Sequence, residues 1–534
     1  MPRSNAEAVV DALERVGIEY VFGYPGGQNA CFIEAMHGSR VRFILVTHEG
    51  CAGFMADVYG RLTGKPGACL STLGPGATNL STGVGNAYLD RVPMLAFTAK
   101  MGRRWTGRTV QMQIDHRQLF APITKWSAEL GSGSIYATLA RAVEVALAER
   151  PGPVHLDFPE DVAEEMSADT PGEFTPVPPA LAPCDEGALK EAEALIRGAR
   201  RPLVAVGLTM NRAGATAELC RFIERNRLPV ISTMMAKGHV DDESLPFVGV
   251  VGRARRDLVA EYCRPADLVI AVGYDPVEFN YEEWVRPGLP IVHVDTAPAD
   301  IAPGHSPVCQ LVGDVGRTLA WLGDLGGLSH QWDLSALDGH RDNLRRGLTP
   351  DCGGFAPHHA VQAMRDVLPD NGLITVDVGA HTHLIAQLWE TRGPRNLLVS
   401  NGWSSMGFAI PAAIAARLVE PDRPVVACTG DGGYLMMAGE ISTAVRLQLP
   451  VVFVVLRDNY LSLIRVKQRR RGFHEDGVEL FAAGCPSSDR LFGARVEVAV
   501  TEEQFRETLR AGLAGTEPLV IEAVVDPAEY DGIL

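Results

Sequence analysis

Val425-Val426-Ala427-Cys428-Thr429-Gly430-Asp431-Gly432-Gly433 is the stretch that organises the rest of this chain. Small and β-branched apolar residues run into Gly-Asp-Gly, the pattern of a buried parallel strand ending in a sharp turn. Glycines there let backbone amides come close to a ligand, as a phosphate needs. The 26 residues from Gly433 to Asp458 leave room for one helix and one further strand, residues 451–456. That strand delivers Asn459 to the same sheet edge as Asp431. An aspartate and an asparagine side by side offer oxygen ligands to a hard cation, Mg²⁺ bridging a diphosphate being the expected case. Gly-Asp-Gly is also a common turn, and on these residues alone two unrelated strand ends stay open as the alternative.

Length and composition narrow the field. A chain of 534 residues is read as about three domains, and a hydrophobic fraction of 46% fits a large globular core. The net charge of −16 argues against general nucleic-acid or anionic-membrane binding. No run of about 18 uninterrupted apolar residues occurs, so no membrane span is expected. The opening residues pass directly into an amphipathic segment without a secretory signal. The ten cysteines lack CxxC pairs or a histidine companion at zinc-site spacing. They read as reduced core residues of a cytoplasmic protein.

Working outward from the opening stretch, strands and helices alternate along the whole chain, which implies parallel sheets with helices on both faces. A first domain is expected at residues 1–165, with strands at 20–22, 42–46, 68–71 and 93–98 and a glycine turn at Gly74-Pro75-Gly76. A stretch rich in Pro, Thr and Ala at 166–185 reads as a linker. The second domain, 186–335, has strands at 202–206, 229–232, 268–272 and 291–294 and no GxGxxG with an acidic partner, so a working dinucleotide site is not expected there. A polar link at 333–352 leads to the third domain, 355–534, whose first strand (373–376) ends at Asp377-Val378-Gly379-Ala380-His381. The expected architecture is α/β, with three doubly wound parallel-sheet domains.

With these motifs in order, the chain resembles the thiamine-diphosphate (ThDP) enzymes of the acetohydroxyacid synthase group over almost its whole length. Matching stretches are Tyr24-Pro25-Gly26-Gly27, His48-Glu49, Gly64-Lys65-Pro66-Gly67, Gly74 to Leu80, Gly152-Pro153-Val154, Met406-Gly407 and Gly-Asp-Gly followed by Asn459. Gly273 to Glu278, Val312-Gly313-Asp314, Ser400-Asn401-Gly402, Gly430 to Gly433 and residues 440–447 are similar to the flavin-independent, catabolic acetolactate synthase branch. The resemblance implies pyrimidine-binding, central and diphosphate-binding domains in that order. It implies that Asp431, the Asn459 side chain and the Leu461 carbonyl hold Mg²⁺, and that Gly430, Gly432 and Gly433 form the phosphate turn at a helix N-terminus. Val378, Gly379, Ala380 and His381 would lie over the diphosphate. Glu49 would hydrogen-bond the aminopyrimidine and draw it toward the tautomer that serves as an internal base. Met406 would wedge the cofactor into its bent shape, while the Ser404 carbonyl and Met406 amide grip the pyrimidine edge. FAD is not expected. In this family the first and third domains meet across subunits, which implies a homodimer as the minimum and a homotetramer as a common form.

Departures from the relatives bear on the substrate. Met112 stands where acetolactate synthases carry a glutamine, so a side-chain amide for the reacting oxygens is missing unless Gln111 or Gln113 supplies it. Gln468 stands where the anabolic enzymes have a tryptophan. Gly27, next to Gly26 and Gln28, and Arg465 occupy positions where simple decarboxylases place acids that protonate the two-carbon unit for release as aldehyde. Without those acids carboligation is favoured. Pyruvate, or another 2-oxo acid, is the expected donor, with a carbonyl compound as acceptor. The alternatives are plain 2-oxo acid decarboxylation, acyl transfer to an anion, and a non-catalytic ThDP-binding subunit. Arg465 opens a basic run to Arg471, read either as a border of the site or as a solvated helix face. His116 is placed as readily in a surface loop as in the site.

Overall fold

Three sheets succeed one another along the chain, each built around short apolar strands whose central members are buried on both faces, as parallel strands covered by helices are. The computed structural model describes residues 3–171, 174, 176–177, 180–300, 304–481 and 488–534. The first sheet holds β1 (Tyr20–Gly23), β2 (Arg42–Leu45), β3 (Gly67–Ser71), β4 (Met94–Lys100), β5 (Trp126–Glu129) and β6 (Pro153–Pro159), in the order β2-β1-β3-β4-β6-β5. The second holds β7 (Pro202–Val206), β8 (Val230–Ser232), β9 (Phe247–Val250), β10 (Leu268–Val272), β11 (Ile291–Asp295) and β12 (Cys309–Val312), in the order β12-β11-β10-β7-β8-β9. The third holds β13 (Leu373–Val376), β14 (Leu397–Val399), β15 (Val425–Gly430), β16 (Val452–Arg457), β17 (Arg490–Leu491), β18 (Ala494–Ala499) and β19 (Leu519–Val524). Its order is β14-β13-β15-β16-β19-β18-β17, with β17 alone antiparallel to its neighbour. The doubly wound α/β expectation holds.

Ligands of doubly wound sheets sit where the winding first reverses, beyond the carboxyl ends of the strands. In the first sheet that place lies between β1 and β3, so the Gly26 turn and the Gly74 turn adjoin. In the third it lies between β13 and β15, with β16 next to them; Val376 pairs with Cys428 and Gly430 with Leu456. The register therefore brings Asp377, Asp431 and Asn459 to one edge.

The first and third sheets do not stand apart. The helices Glu49–Thr63 and Ala409–Val419 share one apolar core, in which Phe54 meets Phe408 edge-on with ring centroids 5.6 Å apart. The Arg61 guanidinium lies over the same Phe408 ring. The central sheet shares a second core with the outer face of the third.

Two expectations are corrected. The polar link at 333–352 contains the helix Ser335–Leu348. Its few apolar residues, Leu337, Leu344 and Leu348, fall on one face and are buried, which suffices to dock an otherwise charged helix. The interval after Gly433 is not one helix: Asp431–Met437 ends at a 3₁₀ turn, Ala438–Glu440, and Ile441–Arg446 follows before β16. The expected linker at 166–185 falls partly outside the described residues. β9 and β12 were not anticipated. Phe247–Val250 and Cys309–Val312 are four-residue strands, too short to show a period.

Candidate active site

At the end of β15, Gly430 caps the helix Asp431–Met437, whose first residue is the buried Asp431. Asp431 Oδ2 accepts the backbone N–H of Asp458 and of Asn459, each at 2.8 Å. Its Oδ1 is buried and has no hydrogen-bond partner among the described residues. Burial raises the Asp431 pKa, against the two amides that lower it. An orphaned carboxylate oxygen in such a place is what a bound cation would satisfy, so the residues fit the divalent ion that the sequence suggests. Asn459 is left-handed, φ +68°, a conformation asparagine tolerates better than most residues. This bend turns the chain back toward Asp431. Arg457 Nε donates to Asn459 Oδ1 at 3.3 Å and also pairs with Glu522 at 2.9 Å. The Leu461 carbonyl starts the helix Ser462–Arg470 by accepting from Ile464 and Arg465, both at 3.0 Å. The Leu461 side chain closes over Gly432: a Cβ on that glycine would lie 2.7 Å from Leu461 Cδ2 and 2.5 Å from Met406 Cε. A larger residue there would have to push the ends of these two side chains aside.

The loop Val378 to His381 lies against the same turn. The His381 ring packs on Gly379 and comes within 3.3 Å of where a Gly430 Cβ would be. Burial drives His381 down to about 4, so the ring is neutral, and its buried Nε2 lacks a partner. Ala380 opens the helix Ala380–Leu388 behind it. On the far side, Ser404 takes φ +52° and its hydroxyl donates to the Asn401 carbonyl at 2.6 Å, forming the bend that carries Met406.

Asp377 is the residue to which the sequence assigned no role. Fully buried, it accepts from the amides of Val378 (2.7 Å), Gly407 (2.8 Å) and Ala409 (3.3 Å) and from the Thr429 hydroxyl (3.2 Å). One carboxylate thus ties the Val378–His381 loop, the Met406 bend and β15 together. Burial pushes it up to about 6 despite these donors. An aspartate closing an apolar strand just before a glycine was the available signal.

Glu49 lies in the first unit and opens the helix Glu49–Thr63, with the His48 ring accepting from the Gly50 amide at 3.0 Å as its cap. The Glu49 carboxylate is 8% exposed and accepts from Asn79 Nδ2 at 3.0 Å; its other oxygen borders Gly76. Across to the third unit, Thr47 donates to Glu440 through both its amide (2.9 Å) and its hydroxyl (2.6 Å), and Cys51 meets Met437. Within one chain, then, the Glu49 helix begins against the far end of the Asp431–Met437 helix, about 9 Å along its axis from Asp431.

Gly26, Gly27 and Gln28 and the segment Gln111, Met112 and Gln113 meet on the first sheet's edge. Gly26 packs on Thr72, a Cβ on Gly74 would lie 2.4 Å from the Met112 carbonyl, and Gln28 reaches Met101. Met112 takes φ +64° and is exposed, as is Gln111, while Gln113 Oε1 is buried and unpartnered. His116, allowed a surface loop by its sequence, is 2% exposed, which corrects that option. Its Nε2 accepts from the Gly74 amide at 3.1 Å and its Nδ1 faces Asp157 at 2.8 Å. Thr98 donates to Asp157 at 2.7 Å and contacts His155, which Ser127 meets in turn. Burial holds His155 near 4, and His116 and Thr98 keep Asp157 low in spite of its own burial. The partners lie 41 and 42 residues away in sequence, so no local pattern shows them. Arg465 is paired with Glu475 at 2.5 Å and stacked 3.8 Å over Tyr460, so its charge is already taken.

Comparisons with known proteins agree with this arrangement. Residues 3–119 match the thiamine pyrophosphate enzyme N-terminal TPP binding domain, residues 189–322 the central domain and residues 377–523 the C-terminal TPP binding domain. The chain is 30% identical to an acetolactate synthase of Bacillus subtilis, over 98% of this chain and 93% of that protein. It is 32% identical to a probable acetolactate synthase large subunit of Methanocaldococcus jannaschii, over 98% and 92%. It is 31% identical to a catabolic acetolactate synthase of Raoultella terrigena, over 98% and 95%.

Proposed function

Because the chain belongs to the thiamine pyrophosphate enzyme family and is an acetolactate synthase-like, ThDP-dependent carboligase, we propose that it decarboxylates pyruvate, or a closely related 2-oxo acid, with Mg²⁺ and transfers the two-carbon unit to a carbonyl acceptor. The observation that carries the metal-dependent part is the orphaned Oδ1 of Asp431, buried beside Asn459 at a glycine turn. Asp431, the Asn459 side chain and the Leu461 carbonyl would hold the ion, and the amides of Gly432 and Gly433 at the helix start would meet phosphate oxygens. The cofactor, when bound, supplies a nucleophilic carbon that stores the electron pair released by decarboxylation. Glu49 holds a proton at the aminopyrimidine edge, and its low exposure with a single amide partner leaves it free to do so. Met406 and Leu461 roof the turn and exclude water. Neither Gly27 nor Arg465 is an acid, so neither of these two positions supplies the proton that would release aldehyde. FAD has no part in this reading, and an absorbance spectrum of the purified protein tests that.

Feeding pyruvate with and without candidate acceptors, and identifying products by mass spectrometry, tests the proposal. A C–C coupled product is expected; free acetaldehyde as the sole product would sink it and leave plain decarboxylation.

A further inference from the structure

Cys352, His358 and His359 come together just ahead of the third sheet. No familiar spacing groups them: five residues separate the thiol from the first imidazole, and no second cysteine follows at a zinc-site interval. In the fold, one potential ligand atom from each lies within 4.8 Å of the other two. The His358 and His359 rings stand 4.0 Å apart between centroids, tilted by 51°. Around a tetrahedral ion, nitrogen and sulfur ligands lie about 3.5 Å from one another, so closing by about 1 Å completes the set. Cys352 can make that movement. It is half-buried, its thiol has a single long contact among the described residues, 4.0 Å to the Gly354 carbonyl, and a Cβ on Gly353 or Gly354 would meet nothing within 4 Å.

His358 is prepared for a metal by its neighbour. It is buried, its amide donates to Glu529 Oε1 at 2.9 Å, and its Nδ1–H donates to Glu529 Oε2. A carboxylate on one ring nitrogen fixes the proton there, leaves the lone pair on Nε2 and makes that nitrogen the better donor, which is how metal-bound histidines are held. Nε2 has no hydrogen-bond partner among the described residues. His359 is less ready. Its Nδ1 accepts the Ala356 amide at 3.2 Å at the start of the helix Pro357–Val367, so it becomes a ligand by giving up that long bond. One cap bond is exchanged for one metal bond.

The cluster lies where the chain's last residues return. The helix Pro357–Val367 precedes β13 and runs back along the sheet, so its first turn is at the carboxyl edge. Just past β19, the Asp526 amide donates to the Phe355 carbonyl at 3.0 Å, and Glu529 follows to meet His358. The last helix, Tyr530–Ile533, starts beside Glu529. Its Asp531 accepts from Arg469 at 2.7 Å through the carboxylate and from Arg470 at 3.0 Å through the carbonyl. Those arginines end the helix Ser462–Arg470, which begins right after Leu461.

We propose that Cys352, His358 and His359 bind Zn²⁺, with water in the fourth position, and that the ion fastens the C-terminal segment through His358 and Glu529. A thiolate and two imidazoles suit Zn²⁺ and disfavour Mg²⁺, which takes oxygen ligands, so this cluster and Asp431 select different ions. Binding releases the Cys352 thiol proton to solvent. The site stands independently of the carboligase reading.

The test uses the full chain, stripped with a chelator and kept in excess Mg²⁺. Zn²⁺ is titrated by calorimetry. Co²⁺ is titrated by spectroscopy, since its sulfur-to-metal charge-transfer absorption reports a thiolate ligand. One Zn²⁺ per chain and a Co²⁺–thiolate band are expected. Cys352→Ser should abolish the band and weaken Zn²⁺ at least about tenfold, and Glu529→Gln should weaken Zn²⁺ by about 10- to 100-fold with the band kept. Cys220→Ser, on the helix Thr216–Asn226 of the central unit, should change neither. Zn²⁺ should also slow amide hydrogen exchange across residues 526–533 in the wild type and not in Cys352→Ser. Cys352 is half-buried with one long contact, so its variant tests the site even if Glu529→Gln misfolds. No Zn²⁺ binding, binding without the thiolate band, or binding unchanged in Cys352→Ser would overturn the site. Exchange that Zn²⁺ leaves unaltered would overturn the fastening.

Discussion

Asp431 carries two demands on one side chain: one oxygen fastens the start of the Asp458–Asn459 bend, and the other has no protein partner. Asp431→Ala removes both, and ThDP binding in the presence of Mg²⁺, followed by calorimetry, is expected to weaken at least about tenfold. Unchanged affinity would show that the ion is held elsewhere. Glu49 is a matter of chemistry rather than packing. Glu49→Gln keeps the acceptor oxygen for Asn79 and removes the ionisable proton, so turnover should fall by about 10²- to 10⁴-fold while the protein stays folded. Unaltered turnover would revive the non-catalytic ThDP-binding reading. Glu278 predicts a pH effect on stability. Burial raises its folded pKa from 4.5 to about 8, so between those values the folded state keeps a proton that the unfolded chain has released. The contribution is therefore fully present below about pH 4.5 and is lost as pH rises through about 8, by a few kcal/mol at most. Urea melts of wild type and Glu278→Gln from pH 5 to 8 should show the wild-type slope flattened in the variant; parallel slopes would exclude Glu278 as its source.

Elements are aligned by their small residues as much as by their large ones. The helices Glu49–Thr63 and Pro75–Leu89 cross at Gly53 and Gly83, where a Cβ on Gly53 would stand 2.6 Å from the Gly83 backbone. That approach brings Asn79 of the second helix to Glu49 of the first. Gly83→Val should cost about 1–3 kcal/mol by thermal or urea unfolding and reduce turnover by displacing Asn79 from Glu49. A stable variant with full activity would show that the helices tolerate separation. The same helix pair shows how unevenly sequence informs at this scale. Gly74-Pro75-Gly76 announced a turn and a helix start, and both are there. The His116 bond to the Gly74 amide was invisible, because it joins the start of the short helix His116–Phe120 to a helix cap 42 residues earlier. Ser335–Leu348 was hidden for another reason: a charged helix docked by three leucines has too little apolar content to stand out from a linker.

At the scale of the molecule, one chain packs its first and third units together through Phe54, Arg61 and Phe408, and on either side of Glu49 it sets Thr47 against Glu440 and Cys51 against Met437. Leu435 and Met436, on the exposed side of the Asp431–Met437 helix, are 49% and 59% exposed and lie next to the site. Under the proposed function, a site that needs both ends of the cofactor held would be completed by a second copy, with Glu49 of one chain serving Asp431 of another. Sedimentation velocity should find no species smaller than a dimer at assay concentrations, and dilution below the dimer dissociation constant should abolish activity. An active monomer would refute the bridged arrangement.

Most of the strands, the glycine turns and the pair Asp431 and Asn459 were determined by the sequence, because each rests on local physics: apolar runs make buried strands, glycine permits close backbone approach, and Asp and Asn supply hard oxygen ligands. Those signals need neighbours only a few residues away. What only the tertiary structure decided depends on residues far apart in the chain. Asp377 gathers amides from Val378, Gly407 and Ala409; His116 reads Gly74; Arg465 pairs with Glu475. Whether a charge is free or paired is a property of the fold, since it is set by which other groups the packing brings within hydrogen-bonding distance.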